Sequence, residues 1–250
     1  MCRHQLYLGP PTSLAALLFD PPHSLHRQAW APRDMRGGGT VNADGFGVGW
    51  YTGAGPVRYR RAGPIWADPG LVELSRATTA GAVLAAVRSA TTGMPVTEAA
   101  CAPFTDGRWL FSHNGVVTGW PGSVAGLAAA LPVTDLLTLD APTDSALLWA
   151  LVRHRLRSGA DPGAAITDTV TDVLAVAPRS RLNLLLTDGQ QAWASAVGHA
   201  LSILAGPDRL IIASEPVDDD PAWTPVADRR LVTADRRTHT LEDLCASTSS

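Results

Sequence analysis

Short apolar segments of strand type lie at both ends of the chain and bracket a helical middle, and this order constrains the fold most. Residues 81–87 form a continuous apolar run that ends in Arg88, the pattern of a buried strand. Residues 6–8, 46–51, 57–61 and 109–112 read as further strands, with 52–56 as a Gly/Pro turn that closes a hairpin. Helices are expected over 14–19 behind a Thr12 or Ser13 cap, over 123–131, over 144–156 behind Thr143, and over 164–176. Strands return at 181–187, 192–197, 210–213 and 231–233. Strands, then helices, then strands imply an α+β domain with two layers of sheet covered by helices. Its 250 residues, 46% of them hydrophobic, are enough for one well-buried domain. That domain is expected over residues 1–245, with 246–250 as a disordered tail. Residues 20–40 are rich in Pro, Arg and Gly and read as a long loop, of the kind usually tied to function or mobility.

Charge narrows the function classes. The net charge is −3 and no basic stripe is present, which argues against nucleic acid as a partner. All 20 basic residues are arginine, which fits carboxylate recognition but also a GC-rich coding sequence. The first ten residues lack the apolar core of a signal peptide, and no apolar run approaches the ~20 residues that span a bilayer. The three cysteines, Cys2, Cys101 and Cys245, are scattered and form no CxxC pair. That pattern favours reduced thiols over a disulfide framework, and a soluble cytoplasmic protein is expected. The seven histidines show no ligand spacing, so no metal is expected.

Four features carry chemistry. Cys2 follows Met1, and methionine is normally trimmed before a small residue. The mature chain would then start with a thiol and a free α-amine on one residue. The amine has a pKa of roughly 7.7 to 8.0 and can serve as a base near neutral pH. The sequence His113-Asn114-Gly115 offers a side-chain amide and a glycine N–H as donors to a developing oxyanion. Arg88 ends an apolar strand and can grip a carboxylate with two hydrogen bonds. Asp144, at the start of a helix, can receive an ammonium group. Each has a plain structural reading when taken alone. A cysteine falls at position 2 by chance in about one or two per cent of proteins. Asn-Gly is a common turn dipeptide. Arg88 suits an ion pair, and Asp144 suits the first turn of any helix. Cys101 reads as a small buried hydrophobe. His113 reads as a support for Asn-Gly rather than a base.

Together these motifs, an N-terminal Cys, Arg88-Ser89-Ala90-Thr91, His113-Asn114-Gly115 and Thr143-Asp144-Ser145, resemble the class II glutamine amidotransferases in order and spacing. These are N-terminal-nucleophile hydrolases. The segment 42–50, Asn-Ala-Asp-Gly-Phe-Gly-Val-Gly-Trp, is similar to that family's glycine-rich strand. The resemblance implies a four-layer αββα sandwich. It implies Cys2 as nucleophile and Asn114 with Gly115 as the oxyanion hole. It implies that Arg88, helped by Thr91, holds the α-carboxylate of a glutamyl group and Asp144 its α-amine, with no cofactor. One departure is that Val41-Asn42 stands where many members carry Arg-Gly, just upstream of the matched Asp44 and Gly47.

A closer resemblance, over residues 1–228, is to the amidohydrolases of ergothioneine biosynthesis. It rests on 21–25, 30–35, 60–68, 101–107 and the stretch Ala213-Ser214-Glu215-Pro216. Those enzymes take a small-molecule substrate, γ-glutamyl-hercynylcysteine sulfoxide. With the chain mostly consumed by the amidase domain, no synthase domain is expected beside it. The readings left open are a free-standing hydrolase, a glutaminase subunit that supplies ammonia to a separate synthase, and a non-catalytic binder of γ-glutamyl ligands. The implied leaving group carries a trimethylammonium, which aromatic faces hold well. At least one of Trp30 and Trp66 is therefore expected to line the pocket, the alternative being that both are core residues. The sequence carries no signal for an oligomeric state.

Overall fold

The computed structural model describes residues 2–34 and 41–244. Cys245, the expected tail 246–250 and part of the 20–40 loop lie outside the described residues. Two antiparallel sheets carry the molecule. The first is built from β1 (Arg3–Ser13), β2 (Phe46–Thr52), β3 (Gly55–Arg61), β4 (Thr79–Val87), β9 (Ser202–Ala205), β10 (Leu210–Ala213) and β11 (Thr224–Pro225), in the order β11-β9-β10-β1-β4-β2-β3. The second contains β5 (Phe104–Asp106), β6 (Trp109–Val116), β7 (Arg181–Thr187), β8 (Gln191–Ala196), β12 (Arg230–Asp235) and β13 (His239–Asp243), in the order β13-β12-β8-β7-β6-β5.

Helices α1 (Leu14–Leu18), α2 (Leu25–Gln28) and α3 (Pro69–Ala77) cover the first sheet. Helices α6 (Asp144–Arg157) and α7 (Pro162–Val176) cover the second, and the short α4 (Ala125–Ala129) and α5 (Val133–Leu137) precede them. The result is the four-layer αββα sandwich. Its strands read as unbroken apolar runs because both faces are buried and the side-chain period is two. In β4, Val83, Ala85 and Val87 meet the helices, while Ala82 and Leu84 meet the opposite sheet. In β7, Leu182, Leu184 and Leu186 face α6 and α7, while Leu185 faces inward.

The capping residues account for the helix starts. Ser13, rather than Thr12, caps α1 by accepting from the Ala16 N–H, and Thr143 caps α6 through the Ala146 N–H. The α7 helix starts two residues before the sequence expectation, because Asp161 caps it and Pro162 occupies its first turn. The expected helix over 123–131 shortens to a 3-10 turn, Gly122–Val124, followed by α4.

Candidate active site

The same period of two gathers the candidate residues. Along β1, Leu6 and Leu8 point into the gap between the sheets, so His4 does too, and Cys2 follows in phase. Arg88 follows Ala82 and Leu84 in β4, Asn114 follows Leu110 in β6, and Ser214 follows Leu210 and Ile212 in β10. At this end of the gap the apolar layer gives way to polar groups. His4 Nδ1 lies 3.2 Å from Ser112 Oγ, the His4 N–H donates to Ser214 Oγ at 3.0 Å, and Asn114 Nδ2 donates to the same oxygen at 3.2 Å.

Cys2 is half-buried, with its thiol directed at the Ser89 carbonyl, 3.7 Å away. It shares a cavity with Phe46, Arg88, Cys101, His113 and Ser145. Arg88 belongs to a loop held by the Asp44-Gly45 pair. Its N–H donates to the Gly45 carbonyl at 2.7 Å, and Asp44 Oδ2 accepts from the Ala90 N–H at 2.8 Å. The Arg88 guanidinium donates to the Pro95 carbonyl at 2.9 Å and forms no ion pair among the described residues. The structural alternative for Arg88, an ion pair, is therefore absent there. Gly45 sits at φ 137°, and a Cβ on it would stand 2.3 Å from Cys101 Sγ. A Cβ on Gly47 would stand 2.1 Å from the Ala102 carbonyl oxygen. The glycines of segment 42–50 thus let the 101–103 segment close over the strand next to Arg88.

The His113-Asn114-Gly115 triplet is not a turn. The β6 strand runs through it, with Asn114 opposite Asn183 and Gly115 opposite Leu182 in β7. Glycine is needed here for close approach, since a Cβ on Gly115 would lie 1.8 Å from the Arg181 carbonyl oxygen. His113 faces the helices. Its Nε2 donates to the Arg181 carbonyl at 3.0 Å, and Nδ1 lies within hydrogen-bond distance, 2.9 Å, of Ser145 Oγ. Both nitrogens are engaged, and His113 bridges β6, β7 and α6. Asn114 is fully buried.

Asp144 is buried at the first turn of α6. One carboxylate oxygen accepts from the Val117 N–H at 3.0 Å and the other from the Ser145 N–H at 2.7 Å. It forms no ion pair among the described residues. A buried carboxylate without a cation is costly unless a ligand supplies one. Arg88 lines the cavity beside Cys2, while Asp144 adjoins it through Ser145.

Asn114, Gly115 and Asp144 do not line the cavity beside Cys2, though the pair Asn114-Gly115 adjoins His113 and Asp144 adjoins Ser145, both of which do. Thr91, Trp30 and Trp66 lie further along the chain from any residue that lines it. Thr91 is exposed in the turn after Arg88, where its carbonyl accepts from the Met94 N–H. Trp30 and Trp66 are 45% and 41% exposed, and neither is in the core nor lines the cavity beside Cys2. Trp30 already carries the Arg27 guanidinium 5.0 Å over its ring. Cys101 is buried as expected, and burial pushes its thiol up to about 11. Ser145 and Ser214 were not singled out by sequence reasoning. Each sits inside a stretch that carries the resemblance, Thr143-Asp144-Ser145 and Ala213-Ser214-Glu215-Pro216, which was the available signal.

Burial also holds two imidazoles neutral. His4 lies well below its ordinary range, mainly through desolvation, with His113, His199 and Arg3 adding to the shift. His199 falls to about 3, again through burial first and then Arg181 and Arg3. In the unfolded chain both take up protons near pH 6.5, roughly the free value. Between that pH and the folded value the unfolded state binds more protons, so stability rises with pH there and is lost on acidification. The urea midpoint is expected to fall between pH 7 and pH 5. An unchanged midpoint would contradict buried neutral imidazoles.

Comparisons with known proteins agree with this geometry. The family model for class II glutamine amidotransferases matches residues 13–207, more than three quarters of the chain. The chain is 42% identical over 233 residues to the gamma-glutamyl-hercynylcysteine sulfoxide hydrolase of Mycolicibacterium smegmatis, covering 93% of this chain and 95% of that protein. It is 41% identical over 244 residues to the hydrolase of the same name from Mycobacterium tuberculosis H37Rv, covering 98% and 97%. Among solved structures, a class II glutamine aminotransferase domain protein from Silicibacter pomeroyi superposes with a TM-score of 0.70 at 22% identity, over 98% of this chain and 100% of that one. The glutamine phosphoribosylpyrophosphate amidotransferase of Bacillus subtilis gives the same score at 15% identity, over 98% of this chain and 50% of that one. Sequence and fold thus agree, and the chain belongs to the class II glutamine amidotransferase family.

Proposed function

We propose that this protein hydrolyses the γ-glutamyl amide bond of γ-glutamyl-hercynylcysteine sulfoxide and releases glutamate. The observation that carries the reading is the near-full-length likeness to the two hydrolases of that name. The site supports it through Arg88, which lines a cavity with the half-buried Cys2, and through Asp144, the neighbour of the cavity-lining Ser145; neither forms an ion pair among the described residues.

In this reading removal of Met1 frees the α-amine of Cys2. The amine takes the thiol proton as sulfur attacks the γ-carbonyl. The resulting oxyanion is met by the Asn114 carboxamide and the Gly115 N–H. The amine then gives its proton to the departing amine of the hercynylcysteine sulfoxide, leaving a γ-glutamyl thioester on Cys2. Water, deprotonated by the same amine, cleaves the thioester and frees glutamate. A thiol nucleophile works best where thiols stay reduced, which fits a cytoplasmic location.

Arg88 and Asp144 hold the two ends of the glutamyl group, so they act on binding more than on chemistry. Arg88→Lys keeps the charge but loses the planar fork. It and Asp144→Asn are each expected to lower kcat/KM by about tenfold or more, mostly through KM, the scale of a lost hydrogen bond to a charged group. An N-acylated γ-glutamyl substrate is expected to be rejected, because its nitrogen no longer carries charge for Asp144. Ready cleavage of that blocked substrate would remove Asp144 from the site. The substrate itself is tested by measuring glutamate release from γ-glutamyl-hercynylcysteine sulfoxide beside glutamine. Preference for the first supports a free-standing hydrolase. Faster glutamine hydrolysis would favour an ammonia-supplying glutaminase.

A further inference from the structure

Ser214 follows β10 directly and is buried. Its hydroxyl oxygen accepts two hydrogen bonds, from the His4 N–H at 3.0 Å and from Asn114 Nδ2 at 3.2 Å. The second is the only hydrogen bond of the Asn114 side chain among the described residues, and Asn114 Oδ1 is buried without a partner. The terminal torsion of asparagine is broad and sets no direction by itself. An oxyanion donor contributes fully only when aimed before charge develops. Something must therefore fix this carboxamide, and Ser214 is the group in contact with it.

The other bond of Ser214 has a second consequence. His4 is two residues from Cys2, so one hydroxyl oxygen joins the Asn114 amide to the strand that carries the thiol. The next residue extends the tie. The Glu215 carboxylate accepts from the Arg33 N–H at 3.0 Å and the Asp34 N–H at 2.7 Å, and the Asp34 carbonyl accepts from the Arg3 guanidinium. Arg3 adjoins Cys2. Ser214 and Glu215 together hold the start of β1 from two sides.

We propose that Ser214 is a positioning residue for the hydrolysis, its hydroxyl fixing the Asn114 carboxamide in register with Cys2. This rests on the reading of Asn114 as an oxyanion donor. Ser214 does not line the cavity beside Cys2, so its side chain is expected to act on the reaction through its bond to Asn114 rather than by touching the substrate. Two residues that act as a unit show non-additive losses.

The test is a double-mutant cycle with steady-state kinetics on the γ-glutamyl substrate. Ser214→Ala is expected to lower kcat about tenfold with KM within about twofold, a fraction of the roughly 10² to 10³ for a lost donor. In the Asn114→Ala background the same change is expected to cost almost nothing, since no carboxamide is left to aim. Ser214→Thr keeps the hydroxyl and is expected to recover most of the rate. Full additivity, with the double variant about tenfold below Asn114→Ala, would overturn the inference and mark Ser214 as structural only. A normal kcat for Ser214→Ala beside a crippled Asn114→Ala would sink this inference alone. A normal kcat for Asn114→Ala would sink the oxyanion reading and this inference with it. Should Ser214→Ala not accumulate, having lost the acceptor for His4, the near-isosteric Ser214→Cys is read in the same cycle by the same criteria.

Discussion

Cys2→Ala is expected to abolish turnover while leaving substrate binding intact. The thiol supplies the bond-making step and little ground-state affinity, so its loss falls on kcat. The expected loss is the largest for any single residue of the site, because in this reading the thiol of Cys2 forms the acyl intermediate. Cys101 lines the same cavity, but its buried thiol is pushed up to about 11 and is therefore almost wholly protonated at neutral pH. Cys101→Ala is expected to retain turnover. Kinetics and equilibrium binding of the uncleaved substrate separate the two effects. A dead Cys101 variant beside an active Cys2 variant would reverse the assignment.

Asn114→Ala comes next in size. One oxyanion donor is typically worth about 10² to 10³ in kcat. The ground-state carbonyl gains little from the same donor, so KM is expected to change little. Asn114 is buried in the middle of a strand ladder, and its backbone pairing with Asn183 survives the change. A stability loss is therefore measured alongside, by thermal unfolding, to keep folding apart from chemistry. A variant with unchanged kcat would return Asn114 to the role of a strand residue that ties β6 to Ser214.

The legible part of this fold was the part buried on both faces. Residues 81–87 read as a strand because Val83, Ala85 and Val87 meet the helices while Ala82 and Leu84 meet the other sheet. Elements at the margin lacked that signal. The β13 strand is exposed throughout, and β11 is a two-residue edge. The α3 helix carried its own marker, Asp68 just before Pro69, and the Asp68 carboxylate caps the helix by accepting from the Leu71 N–H. Motif order singled out Cys2, Arg88, Asn114 and Asp144 as candidates, and the structure sets Cys2 and Arg88 in one cavity, while the residues that contact them stayed hidden in the sequence. Asn114 and Ser214 are separated by 100 residues, and only the pairing of β10 with β1 beside the second sheet brings them together. Trp30 and Trp66 rest on residue type alone, since aromatic faces suit a cation; both are partly exposed, which removes the alternative that they are core residues.

The central claim is that Cys2, freed as the N-terminal residue, carries the glutamyl group during turnover. Acid-quenching the enzyme during reaction with γ-glutamyl-hercynylcysteine sulfoxide, then measuring intact mass and mapping peptides, tests it most directly. The account predicts a chain lacking Met1, with one glutamyl group bound through a thioester at Cys2 and none in the Cys2→Ala variant. An active enzyme that retains Met1, or a glutamyl adduct on Cys101 or any other residue, would contradict it.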